Sequence, residues 1–407
     1  MKKGILLLLV LFMVISLAAC TPNGAPVSQT TPPASNAPSG DAPAEEPAKE
    51  PIKLGLTTVL TGDRALEGEY ASNAAAIIQE EINAAGGVLD RPIEIVIEDA
   101  LGTDVGAVNA YRKLAADDDI VAIIGSDSSN DNIAVSSSAL ESKILTTAQG
   151  SSPKLMNLVN TDNPWMFQLR ASDQTLCAAL IKYAVEKLNL KSFAIIHDTE
   201  TASADQARLF TEALATYGIE PSVVVPFTTG TKDFSSHLAQ IQNANVEAVI
   251  AACFHTEAAI LLQQMRALGM ELPVFGSNAF GDPVTIELAK DAINGVYSVT
   301  AWVPNTTNVK GAAFSKKYTE RYGDACAKSA AQIYDHVSVI CEAIKRAGTT
   351  DRAAVRDAMS TIEAYEGAIT VYDCRTNGDC GRGGLVVQVQ DQVPMIIEEL
   401  YSEKVID

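Results

Sequence analysis

Between residues 53 and 147, short runs of apolar residues alternate with longer segments in which apolar residues are regularly spaced. Short runs of apolar, β-branched residues predict buried strands at 53–60, 92–98, 121–125 and 144–147. Between them, apolar residues recur every three or four positions, which predicts helices at 70–85, 105–116 and 129–142. This βαβαβαβ order predicts a mainly parallel sheet with helices on both faces.

A second series of the same kind begins near Asp173. Its predicted helices are 175–188, 204–217, 234–244 and 257–268, and its predicted strands are 192–197, 222–227, 248–253 and 273–276. The remainder is less regular, with strands at 295–300, 368–372, 385–390 and 395–400 and helices at 310–321, 327–347 and 352–359. Because helices and then strands return late, we predict an α/β protein of two doubly wound lobes. Lobe 1 would hold 52–172 plus 300–367, and lobe 2 would hold 173–299 plus 368–407.

The N-terminal residues predict export and a lipid anchor. Lys2 and Lys3 precede an apolar stretch over 5–17, and Leu17-Ala18-Ala19-Cys20 follows. This layout predicts a lipoprotein signal at 1–20 with lipid on Cys20; an ordinary signal peptide that contains a cysteine is the alternative. Residues 21–51 lack apolar periodicity and predict a disordered tether. No other stretch is apolar enough to span a bilayer, so we expect an extracytoplasmic chain attached to the bacterial membrane by lipid alone.

Charge and cysteine content narrow the partners. The chain has 30 Lys and Arg residues against 50 Asp and Glu, a net charge of −20, which disfavours binding to nucleic acid. Of the seven cysteines, Cys374 and Cys380 flank an Asn377-Gly378 turn and are a candidate disulfide. Whether Cys177, Cys253, Cys326 and Cys341 pair or stay as buried thiols is open.

Motifs that would indicate an enzyme or a cofactor are absent from the sequence. It contains neither a phosphate-binding G-x-x-x-x-G-K-[ST] nor a G-x-S-x-G nucleophile elbow, and no G-x-G-x-x-G follows the first strand. No C-x-x-C is present, and the four histidines do not have the spacing of metal ligands. We therefore expect no enzyme activity, no cofactor and no metal.

An ordered set of short motifs resembles the leucine/isoleucine/valine-binding family of extracellular solute-binding lipoproteins. The strongest is the segment over 80–88, EEINAAGGV, which is similar to the family's E-x-N-x-x-G-G signature. The others follow in register over the whole body: Thr61-Gly62-Asp63, Ile124-Gly125, Ser128-Ser129, Ser151-Ser152-Pro153, Leu169-Arg170, Ser172-Asp173, Lys232-Asp233-Phe234, Phe254-His255, Gly276-Ser277-Asn278 and Asn377-Gly378-Asp379.

The resemblance implies a type I periplasmic-binding fold, in which two lobes joined by three crossovers face a ligand cleft. It also implies a monomer that binds an amino acid or a similar small molecule and delivers it to the membrane subunits of an ABC importer. A ligand-sensing receptor module that signals to a membrane partner is the alternative. Because the sequence ends at Asp407 without a predicted membrane helix, we favour the importer.

The first-lobe site residues implied by the resemblance follow strand ends. Ser129 would bind the ligand's carboxylate at a helix N-terminus, although a plain N-cap is the alternative. Ser151, with Gln149 and Gly150 before it, would add a hydroxyl and backbone N–H groups, unless this is only a polar turn. Leu66 and Glu67 would line the cleft.

The second-lobe residues include two departures from the family. Asp173 would pair with the ligand's ammonium group, or else cap a helix, and Phe254 keeps a pocket ring without its hydroxyl. The family's tyrosine falls on Ala202 and its second ammonium-binding acid falls on Asn278, which brings no charge. His255, Trp302 and Tyr334 are further candidates, with core or surface roles as alternatives. These departures put into question whether the ligand is a standard branched-chain amino acid.

Overall fold

A computed structural model describes residues 49–401, apart from 63, 376, 377 and 382. The predicted signal at 1–20, its Cys20 and all but the last residues of the predicted tether lie outside the described residues. Two separate sheets form the body of the chain.

The first sheet has five parallel strands in the order β2-β1-β3-β4-β5. In chain order its elements are β1 (Ile52–Thr58), α1 (Ala65–Ala84), β2 (Ile93–Asp99), α2 (Asp104–Ala115), β3 (Ile120–Ile124), α3 (Ser129–Ser142), β4 (Leu145–Ala148), α4 (Pro153–Asn157) with a π-helical turn over Leu158–Asp162, and β5 (Met166–Gln168). Every residue of β3 and β4 is buried, as expected for strands covered by helices on both faces.

The second sheet has seven strands in the order β14-β13-β10-β9-β8-β6-β7. Its parallel part comprises α5 (Asp173–Lys182) with a π-helical turn over Tyr183–Lys187, β6 (Phe193–Asp198), α6 (Thr201–Ala215), β7 (Val223–Phe227), α7 (Ser235–Asn243), β8 (Ala248–Ala252), α8 (His255–Ala267), β9 (Val274–Gly276), 3-10 turns over Asn278–Gly281 and Lys290–Ile293 on either side of α9 (Pro283–Ala289), and β10 (Tyr297–Thr300).

The chain then returns to the first sheet before it finishes on the second. The returning elements are α10 (Val309–Tyr322), α11 (Lys328–Ala347), α12 (Arg352–Met359) and a small ribbon of β11 (Tyr365–Glu366) and β12 (Val371–Tyr372). They share one hydrophobic core with β1, α1 and β3. The last strands, β13 (Gly383–Gln390) and β14 (Val393–Tyr401), form an antiparallel hairpin on the edge of the second sheet. The chain therefore passes between the sheets three times.

The third passage is tied to the first sheet by a buried carboxylate. Asp335 on α11 accepts the backbone N–H groups of Ala368 (2.6 Å) and Ile369 (2.8 Å) and the hydroxyl of Tyr372 (2.8 Å). Residues 368–374 therefore pack with the first core, and the second sheet resumes only at Gly383. The boundary between lobe 1 and lobe 2 at residues 367/368 remains a prediction.

Most predicted elements agree with the structure to within a few residues, and α3 and α12 agree at both ends. Four elements were not predicted: β5, α4, α9 and β11. Each has at most seven residues, which is too short to display a period. The predicted strand over 368–372 is wrong except at its last two residues, because the backbone of residues 368 and 369 bonds to Asp335.

The structure shows which cysteines are paired. Cys374 and Cys380 form the predicted disulfide, with Cα atoms 4.3 Å apart. Cys177, Cys253, Cys326 and Cys341 are buried free thiols, which settles the alternative left open.

Among the residues that the structure describes, no helix combines the length and the apolar character needed to cross a bilayer. Across the same residues, no group of three or more His, Cys, Asp or Glu side chains is placed to hold a metal ion.

The buried His336 should make the folded state sensitive to acid. Its Nδ1 lies 2.8 Å from Thr147 Oγ1 between α11 and β4, and burial lowers its pKa from 6.5 to about 3. The unfolded chain therefore takes up this proton near pH 6.5, whereas the folded chain does so only near pH 3. The stabilisation is complete above pH 6.5 and is lost as the pH falls toward 3, by up to about 1.4 kcal/mol per pH unit.

Urea unfolding between pH 7 and 4 measures this effect against His336→Asn, which can keep the bond to Thr147 but does not titrate. The variant should lose less free energy of unfolding per pH unit than the parent. Burial raises the pKa of neighbouring Asp335 to about 6, which acts with the opposite sign. Since Asp335 is present in both proteins, the difference between them isolates His336. Equal slopes would contradict the prediction.

Candidate functional site

Adjacent parallel strands of the first sheet bring several predicted residues together at one edge. Ile124, the last residue of β3, is paired with Thr147 near the end of β4. The segments that follow these strands therefore meet, and they contain Ser129 on one side and residues 149–152 on the other. Open α/β sheets bind ligands at this edge, beyond the carboxyl ends of their strands.

Ser129 is the first residue of α3, and its hydroxyl binds the neighbouring loop. Ser129 Oγ accepts the backbone N–H of Ser151 at 3.1 Å and that of Ser152 at 3.2 Å. The N-cap of α3 is Ser128, whose hydroxyl accepts the N–H of Asp131. The plain capping role considered for Ser129 therefore belongs to Ser128.

Gly150 is required by the close approach of this loop to α3. A Cβ atom at Gly150 would lie 2.6 Å from Ser129 Oγ, 2.7 Å from Ser129 Cα and 2.8 Å from Leu155 Cδ2. Such distances are well inside van der Waals contact. The loop can deliver two N–H groups to Ser129 only because position 150 has no side chain.

Gln149 is a buried structural side chain at this edge. Its Nε2 donates to the carbonyl oxygen of Gly125 at 2.6 Å, while Oε1 has no hydrogen-bond partner among the described residues. Its main-chain oxygen accepts from Gln332 Nε2 at 3.4 Å. The amide thus joins the ends of β3 and β4, and α11 closes over them.

Ser151 joins the two predicted halves of the site. Its side chain is buried, and its carbonyl oxygen accepts the backbone N–H of Asp173 at 3.1 Å. Since its own N–H donates to Ser129, both main-chain polar groups of Ser151 are bonded within the site. Its hydroxyl has no partner among the described residues and is free to donate to a ligand.

Asp173 is the first residue of α5, and Ser172 caps that helix by accepting the N–H of Thr175. The capping alternative for Asp173 therefore belongs to Ser172. The Asp173 carboxylate is buried, with Oδ1 3.8 Å from Arg170 Nη2 and Oδ2 3.4 Å from Gln206 Nε2. Both contacts are long, so the carboxylate keeps capacity for a further partner.

The remaining second-lobe residues also follow strand ends. Phe254 lies between β8 and α8 with 46% of its surface exposed, although large aromatic residues are usually buried. Asn278 follows β9 and is half-buried, and Ala202 is an exposed residue in the first turn of α6. All three lie beyond the carboxyl ends of parallel strands, as a cleft-facing role requires.

Glu67 and Leu66 lie in the first turn of α1. Glu67 Oε2 accepts from Nε (2.9 Å) and Nη2 (2.8 Å) of Arg64, which also forms an ion pair with Asp127. Burial, followed by the negative charge of Asp127, raises the pKa of Glu67 to about 7, although Arg64 opposes the shift. Leu66 remains 48% exposed.

Two of the three further candidates lie in the first core, and the third lies against α9. Trp302 is buried in the first core, and its Nε1 donates to the carbonyl oxygen of Cys326 at 2.8 Å. Tyr334 lies in the same core, with its hydroxyl 2.7 Å from Glu81 Oε2. His255 Nδ1 lies 2.9 Å from Thr285 Oγ1, and burial lowers the pKa of this imidazole.

Sequence reasoning did not single out two cations near this region: Arg170, between β5 and α5, and Lys328, the first residue of α11. Arg170 was quoted only as part of a motif, and Lys328 was not considered. Both are single basic residues in otherwise apolar or small-residue surroundings, which is a weak signal at best. Their proximity arises only in the folded chain.

A cavity of about 390 Å³ lies elsewhere, at edge strand β5 and α12. It is lined by Val159, Asn163, Pro164, Met166, Phe167, Arg356, Ser360, Cys374, Arg375 and Gly378. None of the predicted site residues lines it, so it is separate from the strand-end site.

The chain is similar to known proteins over most of its length. The profile of a family described as periplasmic binding protein matches residues 51–393. Leu/Ile/Val-binding protein homolog 3 of Brucella melitensis is 26% identical over 347 residues, covering 81% of this chain and 88% of that protein. The leucine-, isoleucine-, valine-, threonine-, and alanine-binding protein of Pseudomonas aeruginosa is 25% identical over 325 residues, with coverages of 79% and 85%.

Solved structures show the same fold. Leucine-binding protein LivK from Thermotoga maritima has a TM-score of 0.77 at 24% identity and covers 86% of this chain and 99% of its own. The substrate-binding protein LivJ from Streptococcus pneumoniae, in complex with isoleucine, has a TM-score of 0.77 at 21% identity, with coverages of 87% and 100%. These similarities confirm the predicted two-lobed α/β fold.

Replacing Gly150 should disturb the Ser129 loop. We expect Gly150→Ala to lower the free energy of unfolding by about 1–3 kcal/mol, because the new methyl group overlaps the Oγ and Cα atoms of Ser129. The matched control is Gly281→Ala, whose Cβ would meet its nearest atom, Ser298 Oγ, at 3.3 Å. Chemical unfolding measures both variants, and equal losses would contradict the stated role of Gly150.

Proposed function

This chain belongs to the periplasmic binding protein family, and from that premise we propose that it captures a small amino-acid-like ligand between its two lobes and presents it to an ABC importer. Its homologues are substrate-binding proteins, so the expectation of a protein that is not an enzyme is confirmed. The match also confirms the family resemblance seen in the sequence.

One observation carries the proposed site: the hydroxyl of Ser129, at the start of α3, accepts the N–H of Ser151, whose carbonyl oxygen accepts the N–H of Asp173. The two hydroxyls and the N-terminal end of α3 suit a ligand carboxylate. Asp173 suits an ammonium group, since a charge-assisted hydrogen bond in a buried place is strong. An α-amino acid carries both of these groups, a carboxylate and an ammonium group.

The relatives support an amino-acid-like ligand. Several have names that state binding of leucine, isoleucine and valine, and one similar structure holds isoleucine. In this chain Ala202 and Asn278 replace a tyrosine and an acid expected from the family resemblance, and Phe254 supplies an exposed ring. We therefore propose the same binding site with a different side-chain preference.

Closure of the lobes would complete the site. Ser129 and Ser151 follow strands of the first sheet, whereas Phe254 and Asn278 follow strands of the second. A ligand that touches both groups binds the closed arrangement better than the open one, and so shifts the population toward closure. The three chain passages between the sheets would act as the hinge.

The partner and the anchor follow from the same proposal. Delivery to an importer requires membrane subunits as the partner, and the predicted lipid on Cys20 would hold this extracytoplasmic receptor at the bacterial membrane. No nucleic acid is expected as a partner, given the net charge of −20.

Isothermal calorimetry with a panel of amino acids and small organic acids tests the proposed capture. At least one member should bind with a dissociation constant of about 10 μM or lower. Ser151→Ala should weaken that binding about tenfold, or about 1.4 kcal/mol, because one hydrogen bond to a charged group is lost. Thermal stability should be unchanged, since this hydroxyl has no partner among the described residues.

The control for this experiment is Ser137→Ala, an exposed serine further along α3. Ser129→Ala should reduce both affinity and thermal stability, since it also removes an acceptor from two backbone N–H groups. Unchanged affinity in Ser151→Ala would sink the assignment of the carboxylate position.

The anchor is tested separately in a bacterial host. Cys20→Ala should release the chain from the membrane fraction and abolish lipid on its N-terminal peptide, as measured by fractionation and mass spectrometry. Ser28→Ala, within the predicted tether, serves as the control and should stay membrane-bound. A Cys20→Ala chain that still carries lipid would show that the anchor lies elsewhere.

A further inference from the structure

Arg170 carries a buried positive charge that the described residues do not neutralise by a hydrogen bond. It is 6% exposed, and its Nε and Nη2 atoms have no hydrogen-bond partner among the described residues. Its ion pair with Asp173 has Nη2 3.8 Å from Oδ1, which is too long for a hydrogen bond. Burying an under-paired cation is costly, so the position favours an added anion.

Lys328 is a second cation beside the same site. It opens α11, and Gln332, four residues later, donates to the main-chain oxygen of Gln149. Residues four apart share one face of a helix, so Lys328 lies on the face that covers the loop over 149–151. Across the described residues Lys328 donates no hydrogen bond and forms no ion pair.

The two cations also influence each other. The pKa of Lys328 is lowered, first by burial and then by the charge of Arg170, while Asp282, Asp127 and Glu67 oppose the shift. Arg170, Asp127 and Glu67 belong to segments of the first sheet, and Asp282 follows β9 of the second. An anion next to both cations would relieve the burial cost and the repulsion together.

The nearby carboxylates already have partners of their own. Glu67 and Asp127 both pair with Arg64, and Asp282 caps α9 by accepting the N–H of Val284 at 3.0 Å. Asn278 stands where the family resemblance calls for a second acid. The site is therefore richer in available positive charge than its relatives' stated ligands would require.

We propose that the ligand carries a second acidic group, as a small dicarboxylate or an acidic amino acid does, and that Arg170 and Lys328 bind this group. The inference rests on the proposed function, because the ligand's other carboxylate occupies the position at Ser129 and Ser151. A planar guanidinium suits a carboxylate through two parallel hydrogen bonds, and the ammonium adds a point charge.

Matched acid and amide pairs test the proposal by calorimetry on the purified full chain. Glutamate is compared with glutamine and aspartate with asparagine, while glutarate and leucine complete the panel. The acid of at least one pair should bind at least tenfold more tightly than its amide, and higher ionic strength should reduce that ratio.

Variants of the two cations assign the effect to residues. Arg170→Gln and Lys328→Met should each weaken binding of the acid at least tenfold and bring the acid-to-amide ratio close to one. Lys345→Met, at the exposed far end of α11, should change neither. If Arg170→Gln does not fold, Lys328→Met and Arg170→Lys decide the matter, and the latter should retain most of the preference.

The outcomes separate the two proposals. Leucine or glutamine bound as tightly as glutamate, with dependence on Ser151, would leave the proposed function standing and overturn the second anion position. Variants that weaken acid and amide equally would also overturn it. An absence of binding across the whole panel would overturn both.

Discussion

Ser151 is the point on which the arrangement of the site depends. Its N–H donates to the hydroxyl oxygen of Ser129 at the start of α3, and its carbonyl oxygen accepts the N–H of Asp173 at the start of α5. One residue thus fixes the relative positions of two helix N-termini, one packed on each sheet. Ser151 makes both bonds with main-chain atoms, so the link between the helices does not depend on which side chain is present at position 151. The free hydroxyl, in contrast, is present only because this residue is a serine. Architecture and ligand recognition are therefore separable at this position.

The sequence predicted the long, periodic elements well, because buried strands and amphipathic helices leave regular apolar spacing. The start and end of α3 were correct, since a serine N-cap and a buried strand precede it and a second buried strand follows it. Short elements such as β5 and α4 were missed because their residues carry no period, and their conformation is set by neighbours. Tyr372 illustrates the same limit: its ribbon is held by Asp335, 37 residues earlier, a contact that local patterns do not encode.

The candidate site divides along similar lines. Residues that follow strand ends could be located from sequence, because the carboxyl ends of parallel strands meet at one edge. The orientation of their side chains could not be predicted from sequence. The side chain of Gln149 bonds to Gly125, and Trp302 and Tyr334 belong to the core. Arg170 and Lys328 are separated in the sequence by strands β6 to β10 of the second sheet, and they become neighbours only because α11 returns to the first sheet. The mutual repulsion of these two cations therefore depends on a contact between distant parts of the sequence.

The Cys374–Cys380 disulfide closes a loop immediately before the last passage to the second sheet. Cys380 donates its backbone N–H to Gln168, and Gly381 packs so closely on Arg170 that a Cβ atom there would lie 2.3 Å from its carbonyl carbon. Gly383 and Gly384 follow as the first residues of β13, and a Cβ atom at Gly384 would lie 2.3 Å from Leu176 Cδ2. Disulfides persist in oxidising compartments and are reduced in the cytosol. A newly made chain that is exported, as the sequence predicts, would therefore gain this covalent link beside its third passage between the sheets only after translocation.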